Sequence, residues 1–253
     1  MSISICLLNR DAGTDIMLLG NMKKLSRSQV KEIVASNGDL SDCDLSGTNL
    51  SEVDLSAMRL VRSNLSRADI GKAVLIRTDL SGSELVAANL GVSNLTGAVL
   101  NKCNLTRTDL SFSILIGADF EEALLTGANL SLSNLSCSVF RHADLTDANL
   151  QQAEASGADF SGSQMIKVNA YGANMAGSNL SGTNLDGSIL TKVDLTAADL
   201  SGANLKNAEL INANFTAADL TGADLRGAKL SGSTFTRAKL AGIVVDDGIK
   251  LSI

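Results

Sequence analysis

From Leu40 to Leu240 every fifth residue of this chain is apolar, and the phase never slips. Of these 41 centres, 31 are Leu, five Phe, two Met, two Ala and one Ile. Two residues before each centre stands a small side chain, most often Ala (20 of 41), then Ser (ten) and Thr (four). The residue just before the centre is usually Asp or Asn, and Ser, Thr or a charge follows it. A period of five suits neither regular element. On an α-helix five residues overshoot a full turn by about 140°, so the centres would spray around the surface. On a flat strand they would alternate between faces. The pattern works if each unit is a short extended piece plus a corner, with the centre and the small residue inward and the other three facing water. Gly two places after the centre, as at Gly47, Gly97, Gly127, Gly182, Gly202 and Gly222, suits the positive-φ site of a type II turn.

Composition agrees with such a core. The 253 residues include no Pro, no Trp, one Tyr and one His, and only 3% are aromatic although 45% are hydrophobic. The interior must therefore be filled by many like, medium-sized side chains.

The units ADLTG (218–222), ADLRG (223–227) and TNLDG (183–187) match the consensus A(D/N)LXX, and residues 36–243 resemble the pentapeptide-repeat family. That resemblance implies an all-β chain: a right-handed quadrilateral β-helix in which four units make one square coil, with a 20-residue period. About ten coils would stand on the order of 48 Å tall at ~4.8 Å per strand. The sequence supports the period on its own account. Phe120, Phe140 and Phe160 lie 20 apart, as do Phe215 and Phe235, so each set would stack on one inner face. Ala170, half a coil from Phe160, would make room for its ring.

Stacked coils leave open edges at both ends, which need covering. Residues 25–37 read as a short N-terminal capping helix. Ser26 with Gln29 forms a capping box, Val30, Ile33 and Val34 form an apolar stripe, and Asn37–Gly38 ends it. A short strand is expected at 4–8. Asp247–Gly248 between apolar runs suggests a last hairpin or half-coil. The division expected is 1–37 for the N-terminal segment and capping helix, 38–243 for the β-helix, and 244–253 for a C-terminal cap.

Little in the chain carries chemistry. His142, the lone His, falls at an outward position beside Arg141 and reads as a surface residue. There is no phosphate-cradling or dinucleotide motif. Cys6, Cys43, Cys103 and Cys137 lack metal-ligand spacing and read as reduced, which with the absence of a secretory signal points to the cytoplasm. No catalytic residue, cofactor or metal is expected, and the chain reads as a non-enzyme. The net charge of −6 and pI of about 4.8 argue against direct nucleic-acid binding, and no apolar run is long enough to span a bilayer.

Function is therefore sought where outward positions depart from the consensus. Val92, Phe112 and Leu132 share one outward position in three successive coils, with Ile114 and Ile116 around the corner from Phe112 and Tyr171 as an extension. Aligned in this way they form a candidate partner-binding or self-association patch, and a homodimer is one outcome. The second departure is charge. Residues 58–110 carry seven basic and four acidic residues, whereas 111–160 carry one basic and seven acidic. Asp119, Glu121, Glu122, Asp144, Asp147 and Asp159 form a candidate acidic surface. One branch of the resembled family, including quinolone- and toxin-resistance proteins, imitates duplex DNA and binds DNA gyrase. The best-known resistance proteins of that branch carry projecting loops and C-terminal dimer helices, and neither is visible in this sequence. The first reading is a bacterial protein–protein interaction or scaffold rod, and the alternative is a gyrase-binding DNA mimic.

Overall fold

The computed structural model describes residues 22–248 as a right-handed quadrilateral β-helix. From Asp44 to Asp224 every fifth residue pairs in parallel with the residue 20 further along, ending with Asp224 and Val244. The expected 20-residue coil is thus the observed one. The backbone of each unit is held the same way. Leu45 N–H donates to Asn64 O and Gly47 N–H to Ser66 O in the next coil, while Thr48 N–H returns to Leu45 O and closes the corner. The third residue of each corner has φ near +60°, as at Gly47 (63°) and Glu52 (61°), the mark of a type II turn.

The interior is as the period demands. Every centre is buried except Leu230 and Leu240, which are partly buried near the C-terminal end. The rings of Phe120, Phe140 and Phe160 stack at 4.6 and 5.0 Å, and those of Phe215 and Phe235 at 4.8 Å. Small inward Ser and Thr are buried too, and most of their hydroxyls donate to turn carbonyls, as Ser63 does to Leu40 O and Thr78 to Leu55 O, whereas Ser163 and Ser188 have no such partner.

The Asp or Asn before each centre has a local task that the pattern alone did not explain. Its side-chain oxygen accepts the N–H two residues on, as Asp44 does from Ser46 and Asn49 from Ser51, both at 2.9 Å. These Asx turns pin the corners that have them from outside. At several places where Asn follows Asp or Asn one coil later, its amide donates back to the preceding coil, as Asn129 does to Asp109 and Asn149 to Asn129.

At the N-terminal end, β1 (Lys23–Lys24) pairs in parallel with β2 (Cys43–Asp44). Helix α1 (Arg27–Ala35) then lies against the first coil. Its Ser26–Gln29 capping box is complete, and Val30 and Ile33 are buried. Asn37, at φ 50°, ends the helix in a Schellman arrangement, with Gly38 N–H on Ile33 O and Asn37 N–H on Val34 O. At the other end Val244 continues the coil as a parallel half-turn, so the described part is not a hairpin. The expected strand at 4–8 and residues 249–253 lie outside the described residues.

One expectation is corrected. The cysteines read as reduced, but Cys43 is disulfide-bonded, while Cys103 and Cys137 are free. Cysteine spacing reveals a metal motif but not which thiols meet in space, which is what a disulfide requires. This removes reduced thiols as a reason for a cytoplasmic location. Among the described residues no helix is long and apolar enough to cross a membrane.

Candidate partner-binding face

Each corner forces its third residue into left-handed backbone, which glycine enters freely and which side chains enter at a cost. Glycine accordingly fills many of these places, and most others hold Ala, Asn or a charged residue. Six do not, and of these Cys137, His142 and Gln152 are small or polar, whereas Val92 (φ 63°), Phe112 (φ 57°) and Leu132 (φ 58°) are large and apolar. Val92 is the one β-branched residue among the described positive-φ residues, Phe112 the one phenyl ring, and Leu132 the one Leu. All three stand in a single column. Their backbone N–H groups donate to Ser111, Ser131 and Gln151 O in the following coils, at 2.9–3.0 Å. The column is thus fixed by the same ladder as the fold.

Their side chains point to solvent, with exposures of 58% for Val92, 59% for Phe112 and 46% for Leu132. Ile114 (42%) and Ile116 (38%) complete the face beside Phe112. Ile114 pairs with Asn94 and Asn134 in the neighbouring coils, which places the five residues on three stacked coils. Ile114 also occupies the Asx-turn site, so Ile116 N–H loses the side-chain acceptor its counterparts have. Val74 and Ile76 continue the face one coil beyond Val92 and are half-buried. They went unnoticed in the sequence, although for Val74 an apolar residue at an Asp/Asn site was the available signal. The same signal marks Leu124, 47% exposed, half a coil from Ile114 and therefore on the opposite face. Tyr171 does not extend the patch. Gln152 separates it from Leu132, and its ring lies under the Lys192 ammonium at 5.5 Å.

The six candidate acids divide between two faces. Asp119, Glu121, Glu122 and Asp159 line one face and its corner, while Asp144 and Asp147 lie on the next. The first group is partly neutralised. Arg141 grips Glu121 with Nε at 3.2 Å and Nη2 at 3.0 Å and approaches Asp159 at 3.6 Å, while Lys102 lies 3.7 Å from Glu122. The Arg141 hydrogen bond holds the Glu121 carboxyl below its ordinary range. Asp144 accepts from Thr146 N–H and the Thr126 hydroxyl, at 2.9 and 3.2 Å.

Among the described residues no catalytic group is assembled on this face. His142 is exposed, with its imidazole over Gly162. Cys103 is buried, donates to Leu80 O at 2.9 Å, and is pushed up to about 12 by that burial, so it is no thiolate at neutral pH. Among the described residues no group of His, Cys, Asp and Glu could hold a metal ion. Two open surface depressions, one beside Ser46, Arg67 and Val86 and one beside Lys206 and Arg226, contain none of the candidate residues.

A family model described as Pentapeptide repeats matches the chain in eight overlapping copies between residues 39 and 237, the first over 39–75 and the last over 198–237. Among solved structures the chain is similar to HetL, a pentapeptide repeat protein involved in heterocyst differentiation regulation from the cyanobacterium Nostoc sp. strain PCC 7120. The identity is 28%, covering 89% of this chain and 99% of that one, with a TM-score of 0.42. It is similar to Rfr23, a pentapeptide repeat protein from the cyanobacterium Cyanothece 51142, at 34% identity over 39% of this chain and 60% of that one, with a TM-score of 0.27. Trypsin-treated QnrB1, a plasmid-mediated fluoroquinolone resistance protein, aligns at 19% identity over 81% of this chain and 90% of that one, with a TM-score of 0.44. No curated protein sequence matches.

Proposed function

The chain belongs to the family of pentapeptide-repeat proteins, and on that premise we propose that it is a non-enzymatic rod that binds a protein partner through the Val92–Phe112–Leu132 face. One observation carries the reading. The largest apolar side chains at left-handed corners are collected in one exposed column, where each costs backbone strain and leaves about half its surface in water. Ile114 adds to that cost by displacing an Asx hydrogen bond. Local stability is given up at the same place by several residues, and a partner that buries them restores it.

Capture from lysate tests this, with the wild-type chain, Phe112→Glu and a Glu121→Lys/Glu122→Lys double variant as baits. The expected result is a specific protein retained by the wild type and the double variant and lost with Phe112→Glu. A partner retained by Phe112→Glu and lost with the double variant would instead favour the acidic surface.

The second reading, imitation of duplex DNA before DNA gyrase, has one observation in its favour. Asp79, Asp119, Asp159, Asp199 and Asp219 share one outer column. Against it, Arg141 and Lys239 occupy the same face and pair with Asp159 and Asp219, and Arg141 also takes Glu121. A duplex mimic requires an unbroken row of negative charge, so the apolar face is the better supported site.

A further inference from the structure

We infer that the occupant of the Phe112 face is a second copy of this chain, packed face to face with the two rods antiparallel and the two-fold axis crossing the coil of Phe112. This rests on the reading of that face as a protein-binding site and names its partner. The argument is the symmetry of what lies along the face.

Two coils before the coil of Phe112, Lys72 and Arg77 stand at the two corners of the face. Two coils after it stands Glu154, which shares its column with Ile114 and Asn134. Among the described residues none of the three makes an ion pair within the chain. Between them the face carries no charge: Val92, Asn94 and Thr96 in one coil, Phe112, Ile114 and Ile116 in the next, Leu132, Asn134 and Ser136 in the third.

An antiparallel pairing reverses the order of coils and keeps each corner column opposite itself. Phe112, Ile114 and Ile116 then meet their own counterparts, Val92 meets Leu132, and the coil of Lys72 and Arg77 lies over that of Glu154. This is an isologous interface, with an apolar centre and two equivalent charge-paired ends. A parallel pairing would set Lys72 against Arg77 at like charge, so the face selects one orientation. The matched strip is about five coils long, roughly 24 Å at 4.8 Å per strand, which places the association at the small end of specific interfaces.

Sedimentation of the purified full-length chain over a concentration series into the millimolar range tests the inference. The expected result is a monomer–dimer equilibrium that Phe112→Glu weakens by about a hundredfold. Lys72→Glu with Arg77→Glu should weaken it at least tenfold, and adding Glu154→Lys should recover most of that loss, because the ends again carry opposite charge. Phe112→Cys in a Cys137→Ser background should form an oxidised covalent dimer through residue 112, since that position faces itself across the axis. These positions are on the outside, and circular dichroism checks that the coils are intact.

A chain that stays monomeric throughout the series overturns the inference while leaving a foreign partner open to the lysate experiment. A dimer indifferent to Phe112→Glu, or a charge reversal that Glu154→Lys does not rescue, overturns it as well. If the purified dimer responds as expected but a foreign protein captured from lysate is unaffected by Phe112→Glu, the self-pairing stands and the face is not that protein's site.

Discussion

The coils around residues 72–137 and those around 180–225 share one interior and differ outside. In both, Leu or Phe centres and Ala, Ser, Thr or Val neighbours are buried to the same degree. In the later coils the outer positions mostly serve the fold. Asn179, Asp194, Asp199 and Asn214 each cap the next corner, and Gly182, Gly187, Gly202 and Gly222 take left-handed corners at no steric cost. In the earlier coils Val74, Ile114 and Leu124 displace the capping carboxamide or carboxylate, and Val92, Phe112 and Leu132 displace the glycine. In a solenoid with a constant core, surface residues that work against the local backbone are the ones to ask about function.

The comparison can be broken first at its shared half. Leu130→Asp and Leu200→Asp each place an unpaired charge in the stack and should cost several kcal/mol, unfolding neighbouring coils in thermal melts. Equal losses mean the two regions have one core, and an unchanged midpoint for either would mean its centre is not inward. The corners come next. Gly202 has φ 66° and open space where a Cβ would go, so Gly202→Val measures strain without a clash and should cost about 1–2 kcal/mol. Val92→Gly, the reverse change in the other region, should raise stability by about 1 kcal/mol while weakening association through the face. A smaller effect is expected from Ile114→Asn, which restores the missing acceptor for Ile116 N–H and should stabilise by about 0.5–1.5 kcal/mol in chemical denaturation.

Acid should produce the smallest difference, and in the opposite region. The Thr221 hydroxyl and the Lys239 ammonium hold the half-buried Asp219 carboxyl down to about 2, while Arg226, followed by Lys206, holds Asp224 lower still. Both lie below the unfolded value of about 3.9, so their stabilisation is complete above that value and lost as pH falls toward 2. Asp219→Asn should flatten the acid limb of stability against pH. An unchanged limb would show that the pair is too well solvated to matter.

What could be read from the sequence was whatever repeats along one dimension. The buried centres, the two Phe stacks and the Ser26–Gln29 cap all follow from spacing, and the structure has each of them. The task of the Asp/Asn site was less visible, because an Asx turn is a matter of side-chain direction and not of period. The acidic surface looked larger than it is because charges were counted along the chain. Glu121 and Arg141 are 20 apart, so the period that aligns the core also pairs these charges. Tyr171 was misjudged for a related reason, since Lys192 lies over its ring, while the exposed Leu124 on the opposite side went unnoticed. Cys43 could not be read at all, since the contact at a disulfide leaves no spacing rule.

The unbroken pairing of each residue with the one 20 further on has a consequence for how such a rod can change length. A 20-residue insertion or loss is a whole revolution, which shortens or lengthens the rod and leaves every face pointing where it did. A five-residue change keeps the repeat in phase but turns everything beyond it by a quarter revolution. Such an event between residues 112 and 132 would leave both halves able to fold and would swing Leu132 and Glu154 onto a neighbouring side of the square. The rod therefore behaves like an indexed cylinder, in which insertion length sets both height and the angular bearing of whatever is displayed above the break.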